Sequence, residues 1–282
     1  MRRITTAAAG LWVFLAATQL SAVAQAQGLD LGAGGGGPIE VLADDGIEWQ
    51  QPKKQFIARG NAQAIRGGVT VRAPVLIAHY RDTDGSATDI EVLEATGGVT
   101  ITSATEQATG RRAIYTVATG MLVLYGDGAP VSLVTKTETV VAKDRIEYDT
   151  KAQKAVAYGG ASVKKADKTL TAETLIAYME EVNGKTDLRL VEGVGEVVIV
   201  TAKETARGSQ GNYDAKTGIA TLTGSVTINR DQNVLTGNKA VVNMNSGLST
   251  LYGGGGDGSR ARAFLVPQDK NKPAGGAAPK TP

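Results

Sequence analysis

Trp49 to His79 reads WQQPKKQFIARGNAQAIRGGVTVRAPVLIAH, and 99 positions later Tyr148 to Tyr178 reads YDTKAQKAVAYGGASVKKADKTLTAETLIAY. The two stretches share a skeleton. An aromatic residue is followed 11 positions on by glycine, Trp49 by Gly60 and Tyr148 by Gly159. Tyr115 with Gly126 and Tyr213 with Gly224 keep the same spacing. The gaps between these glycines are 66, 33 and 65 residues, which sets a unit of about 33 residues running through the chain. Units of that length bury their apolar faces on their neighbours, so the pattern predicts a stacked fold and a binding surface or scaffold.

Within each unit, apolar and polar residues alternate. Val69, Val71, Ala73, Val75 and Ile77 fall on one face by counting in twos, with Thr70, Arg72 and Pro74 on the other. Leu170, Ala172, Thr174 and Ile176 repeat that phase. A period of two marks a half-buried strand, and no window shows the three-four spacing of an amphipathic helix. Asp84-Gly85, Asn183-Gly184 and Lys216-Thr217-Gly218 read as hairpin connections, and Lys165-Ala166-Asp167-Lys168 as a polar turn. A glycine inside a strand marks a bulge or bend. Recurring once per unit, it predicts an all-β fold, an open jelly-roll of stacked antiparallel strands folded over at one height.

Counting by twos from the glycines gives the inward residues. They are Phe56, Ala58, Ala62 and Ala64 around Gly60, and Leu122 and Leu124 before Gly126. Ala155, Ala157, Ala161 and Val163 surround Gly159, and Ala220, Leu222, Val226 and Ile228 surround Gly224. The candidate groove is Phe56, Ala58, Val71, Ile77, Val99, Ile101, Leu122, Leu124, Ile146, Ala157, Leu170, Ile176, Ile199, Leu222 and Val226. Small apolar residues inside either pack dry or leave a channel, and the pattern is compatible with both.

The ends bound the domain. Arg2, Arg3 and the apolar run Ala7 to Leu20 predict a signal peptide over residues 1–24, cleaved before Gln25 or, in the other frame, before Gln27. Residues 25–38 read as a flexible glycine-rich leader, 39–252 as the repeat domain and 253–282 as a disordered glycine- and proline-rich tail. Removing Arg2 and Arg3 takes Lys+Arg from 30 to 28, against 28 Asp+Glu. A neutral mature chain has no field to steer it to nucleic acid. With no cysteine there is no disulfide, no thiolate and no lipidated cysteine. Export and a periplasm-like location follow.

Catalytic chemistry has little to work with. His79, the single histidine, matches Tyr178 in the later copy and reads as a replaceable rim residue. Asp82-Thr83-Asp84-Gly85 lacks the further acidic ligands of a calcium loop. Asp44-Asp45 and Glu180-Glu181 read as solvated turns. Arg111-Arg112 and Lys164-Lys165 suit either lipid phosphates at a rim or a solvated strand edge. The reading is of a non-enzyme, with no metal and no cofactor.

Ala142-Lys143-Asp144-Arg145-Ile146-Glu147-Tyr148-Asp149, followed by Ala155 to Val163 and Leu170-Thr171-Ala172-Glu173, resembles the OstA-like repeat. Ala43 to Trp49 with Ala58 to Ala62, and Gly211 to Asp214 with Leu222 to Val226, resemble it too. That family builds periplasmic lipopolysaccharide-transport proteins, and the chain is most similar to its soluble bridge component. The resemblance implies lipopolysaccharide acyl chains in the groove, and inner- and outer-membrane transport proteins of the same fold as partners. It also implies end-to-end homo-oligomers joined through strand edges. The first edge is expected near Ile39 to Ile47 and the last near Val234 to Met244. The rival reading is a secreted structural β-repeat or carbohydrate-binding module with a closed core, though Trp12 leaves with the leader and only Trp49 remains.

Overall fold

The computed structural model describes residues 39–83, 86–182, 185–243, 245–246, 248–254 and 260–266. The signal peptide, the leader, residues 267–282 of the tail and the turns at Asp84-Gly85 and Asn183-Gly184 lie outside them. Apart from one 3₁₀ turn at Gln51–Lys53, the regular structure of the described residues is strand. In chain order the strands are β1 (Glu40–Leu42), β2 (Gly46–Gln50), β3 (Gln55–Arg66), β4 (Val69–Thr83), β5 (Ser86–Thr102) and β6 (Glu106–Thr116). Then come β7 (Met121–Tyr125), β8 (Val131–Thr135), β9 (Glu138–Ala142), β10 (Arg145–Asp149), β11 (Lys154–Lys165) and β12 (Lys168–Val182). The last are β13 (Lys185–Val200), β14 (Thr205–Asp214), β15 (Ile219–Arg230), β16 (Asn233–Asn243), β17 (Leu248–Tyr252) and β18 (Arg262–Phe264).

Every pairing is antiparallel, and each long strand pairs with its neighbours in sequence. The short strands come in couples that each cover the two halves of one long strand. β1 and β2 lie on β3, β7 and β8 on β6, β9 and β10 on β11, and β17 and β18 on β16. At the middle of the molecule β10 also pairs with β7, and β9 with β8, so a continuous sheet runs from β1 to β18.

Each long strand bends at its middle. At Gly60-Asn61, Gly159-Gly160, Gly195-Glu196 and Gly224-Ser225 two successive residues have positive φ. Gly60 (φ +77°) and Gly159 (φ +86°) also receive the side chains of Asp45 and Asp144, and a Cβ on either glycine would land inside that carboxyl group. Only glycine fits there. Asp45 and Asp144 donate their backbone N–H groups to the carbonyls of Arg59 (3.0 Å) and Tyr158 (3.2 Å), tying the turn to the corner. Asp45 is exposed, as the solvated-turn reading expects, and its carboxyl and backbone N–H also close over the Gly60 corner. The corner folds each strand over itself, so the two halves face each other across a shared apolar interior: a β-jelly-roll.

Two expectations change at this level. After Pro74 the inward phase switches, because β3 advances three residues from Arg59 to Ala62 while β4 advances two, from Val75 to Ala73. Leu76 and Ala78 face inward and Val75 and Ile77 outward. The same step at Ala172–Thr174 turns Leu175 inward and Thr174 and Ile176 outward. The far edge also moves. β16 is paired on both sides, and the open edge beyond it is β17 with β18. β18 lies within the stretch read as tail, held because Leu235 and Ala263 are ladder partners.

Candidate functional site

The inward residues of successive strands line up as unbroken rows along the whole sheet. In one wall the row is Ile47, Ala58, Leu76, Ala95, Ala113, Leu124, Ile146, Ala157, Leu175, Gly193, Gly211, Leu222, Ala240 and Leu251. In the facing wall it is Val41, Ala64, Val71, Ile101, Ala108, Leu133, Val140, Val163, Leu170, Ile199, Ala206, Ile228, Leu235 and Ala263. Neither row contains a polar side chain. The neighbouring outward row carries Glu48, Glu94, Glu147, Glu192 and Asn212.

The expected groove residues Ala58, Leu124, Ile146, Ala157 and Leu222 stand in the first row, and Val71, Ile101, Leu170 and Ile199 in the second. Val99 and Val226 sit inside the corner, 2% and 1% exposed. Phe56 and Leu122 belong to a parallel inward row with Ala78, Leu93, Tyr115 and Tyr148. Ile77 and Ile176 belong to the outward row, partnered by Ile57 and Glu94 and by Val156 and Glu192. Ile77 still borders the cavity described next. Leu76 and Leu175 are the inward residues that counting in twos across the bend misses, whereas Leu93 and Ala95 keep the phase of Val99 and Ile101. The mismatch would show if the phase were restarted at each bend.

The interior is not uniform. Between β1 and β7 the walls part around a cavity of about 320 Å³, lined by Ile47, Phe56, Ala58, Leu76, Leu93 and Ala95 among others. That is the lower end of the range for small-molecule sites. Arg66 is the basic residue at its margin. At its N-terminal end Trp49 stacks on Phe56 (5.4 Å between centroids) and Phe56 tilts against Tyr80 (5.2 Å). The Trp49 Nε1–H donates to Tyr80 Oη at 2.8 Å, which satisfies both polar tips and leaves the ring bodies on the apolar wall.

Between β12 and β16 the walls meet. A Cβ on Gly211 would come within 2.9 Å of Leu222 Cδ2 and 3.3 Å of Val197 Cγ1, and one on Gly193 within 3.0 Å of Val197 Cγ2. Beside Glu204 lies a cavity of about 20 Å³. Glu204 is 6% exposed, its Oε1 has no hydrogen-bond partner, and burial pushes its carboxyl above the usual range, with Arg230 pulling the other way. Glu106, at the matching turn of the first half, is raised by burial as well.

One member of each basic doublet is engaged. The Arg112 guanidinium lies over the Tyr125 ring (4.0 Å) and donates to Asp127 (3.1 Å), and Lys165 donates to Glu138 (2.8 Å). His79 is 4.0 Å from Glu94. Among the described residues no group of three or more His, Asp or Glu is placed to hold a metal ion. No helix of the described residues is long and apolar enough to cross a membrane.

The family described as LptA/(LptD N-terminal domain) LPS transport protein matches the chain twice, over residues 40–154 and 139–248. The two matches overlap across β9 and β10. An uncharacterized protein of Rhizobium meliloti (strain 1021) is 33% identical over 129 residues, which is 43% of this chain and 67% of the relative. The crystal structure of LptH, the LptA-homologous periplasmic component of the lipopolysaccharide transport device of Pseudomonas aeruginosa, aligns with a TM-score of 0.40 at 18% identity. That alignment covers 46% of this chain and 95% of LptH. With the family matched from β1 through β16, this chain belongs to the LptA/LptD N-terminal domain family of lipopolysaccharide transport proteins.

Proposed function

We propose that the protein is a non-enzymatic carrier of lipopolysaccharide. Exported through a cleaved signal peptide, it bridges the inner and outer membranes across the periplasm. Acyl chains lie in the trough between the two inward rows, while the polar headgroup stays at the rim. Transport proteins of like fold at the two membranes are its partners, and copies join end to end. No cofactor is needed, because no covalent step occurs at the lipid.

The observation that carries this reading is the pair of unbroken apolar rows with an open cavity in the first half. Burial against these rows contributes roughly 25 cal/mol per Å² of apolar surface, enough to hold a chain that water excludes. The closed walls of the second half favour the rival, a structural repeat with a filled core. A carrier must part those walls for passage, and the rival never does. The test fills the seat. Leu93→Trp crowds the cavity from an inward row, and it should weaken binding of fluorescent lipopolysaccharide by about tenfold, roughly 1.4 kcal/mol, with circular dichroism unchanged. Wild-type protein that binds no lipopolysaccharide at all would favour the structural repeat.

A further inference from the structure

The repeat carries its own answer to what covers the N-terminal edge. Moving 99 positions along the chain takes β1 and β2 onto β9 and β10, with Val41 at Val140, Leu42 at Val141, Ile47 at Ile146 and Trp49 at Tyr148. Inside the molecule that second set is covered. β7 and β8 place Leu124 opposite Ile146, Leu122 opposite Tyr148 and Leu133 opposite Val140. Val140, Ile146 and Tyr148 pack against the core clusters. At the free edge the same positions stand in solvent, with Val41 at 38%, Leu42 at 46%, Ile47 at 53% and Trp49 at 52% exposure.

The opposite end presents the matching half of the joint. β17 and β18 form a broken couple like β7 and β8, run antiparallel to β16, and leave Leu248, Tyr252 and Phe264 exposed. A strand added beyond them in the alternating pattern must run as β1 and β2 run. The rows also end in phase, on Leu251 and Ala263 at one end and on Ile47 and Val41 at the other.

We infer that the seam between the two repeats is the template for the joint between two copies of this chain. The β17–β18 couple of one molecule pairs with the β1–β2 couple of the next in the seam's register. Leu251 then faces Ile47, Thr250 faces Glu48, Ser249 faces Trp49 and Ala263 faces Val41. This rests on the end-to-end reading above and adds its register. One chain is then two family units already joined, and each new copy lengthens both apolar rows without a break in phase.

Engineered disulfides in the full-length chain test the register, since the sequence has no cysteine to compete. Glu48 and Thr250 are exposed and lie on the outward row, so Glu48→Cys and Thr250→Cys spare the core. Mixed and oxidised, the two variants should cross-link roughly tenfold more than Glu48→Cys with Leu248→Cys or Tyr252→Cys. A two-residue slip puts the Cα atoms about 7–8 Å apart, beyond disulfide reach. Light scattering on the unmodified chain is the parallel readout. Elongated oligomers with a slipped pair preferred, or with Glu48→Cys cross-linking to itself, would overturn the register and leave end-to-end assembly standing. No oligomer and no cross-link at any pair would remove both.

Discussion

Gly159 and Gly160 occupy the same bend and are not equivalent. Gly159 holds φ +86° against the Asp144 carboxyl, whereas a Cβ on Gly160 meets only the Lys143 side chain, at 3.5 Å or more. Asn61 already fills the matching place in the first repeat at φ +47°. Gly159→Ala should therefore cost more than about 1 kcal/mol in urea unfolding, and Gly160→Asn less than about 0.5 kcal/mol. Glu204 makes a second prediction. Burial raises its carboxyl pKa in the fold above the unfolded value, so between those two values the folded chain holds the proton more tightly. Its contribution to stability is greatest below the unfolded pKa and is lost as pH rises through the folded one. Glu204→Gln should thus be more stable than wild type at neutral pH. That advantage should vanish as urea midpoints are followed down through the carboxylate range.

At the scale of the strand, the bend sets which face a residue takes. The recurring glycines mark the bend in β3, β11 and β15, and the residues counted from them, Ala58, Ala62, Ala157, Ala161, Leu222 and Val226, all face inward. Their partners β4 and β12 carry no such mark. Pro74 and Glu173 sit where the register steps, and nothing in an alternating string shows a step of one residue. That is why Leu76 and Leu175 were legible only as the wrong face, and Ile77 and Ile176 as the right one. A slip of one exchanges the two faces of a strand. The consequence is measurable. Leu175, 5% exposed in a core cluster with Ala157, Val197 and Leu222, should lose about 2–5 kcal/mol on substitution by alanine, and Ile176→Ala at most about 1.5 kcal/mol. Chemical denaturation of the two variants side by side decides between the phases.

For the whole molecule, the 99-residue repeat gave the stacking, the antiparallel order and the N-terminal edge before any coordinates. It did not give the C-terminal edge, because β17 and β18 are two short pieces separated by a glycine-rich stretch that breaks the landmark spacing. Nor did it give the difference between the halves. In the inward row of the second half Gly193 and Gly211 stand where Ala95 and Ala113 stand in the first. In the proposed carrier, the first half would seat an acyl chain and the second would have to open for the chain to pass.

The most direct test of that trough is site-specific photocrosslinking to lipopolysaccharide from two adjacent places in the same wall. Leu93 belongs to the inward row beside Tyr115, and Ile114 to the outward row beside Glu94 and Val123. With a photoreactive residue at each in turn, adducts are predicted from position 93 and none above background from position 114. Equal labelling from both faces, or labelling from 114 alone, would contradict an acyl chain held between the inward rows.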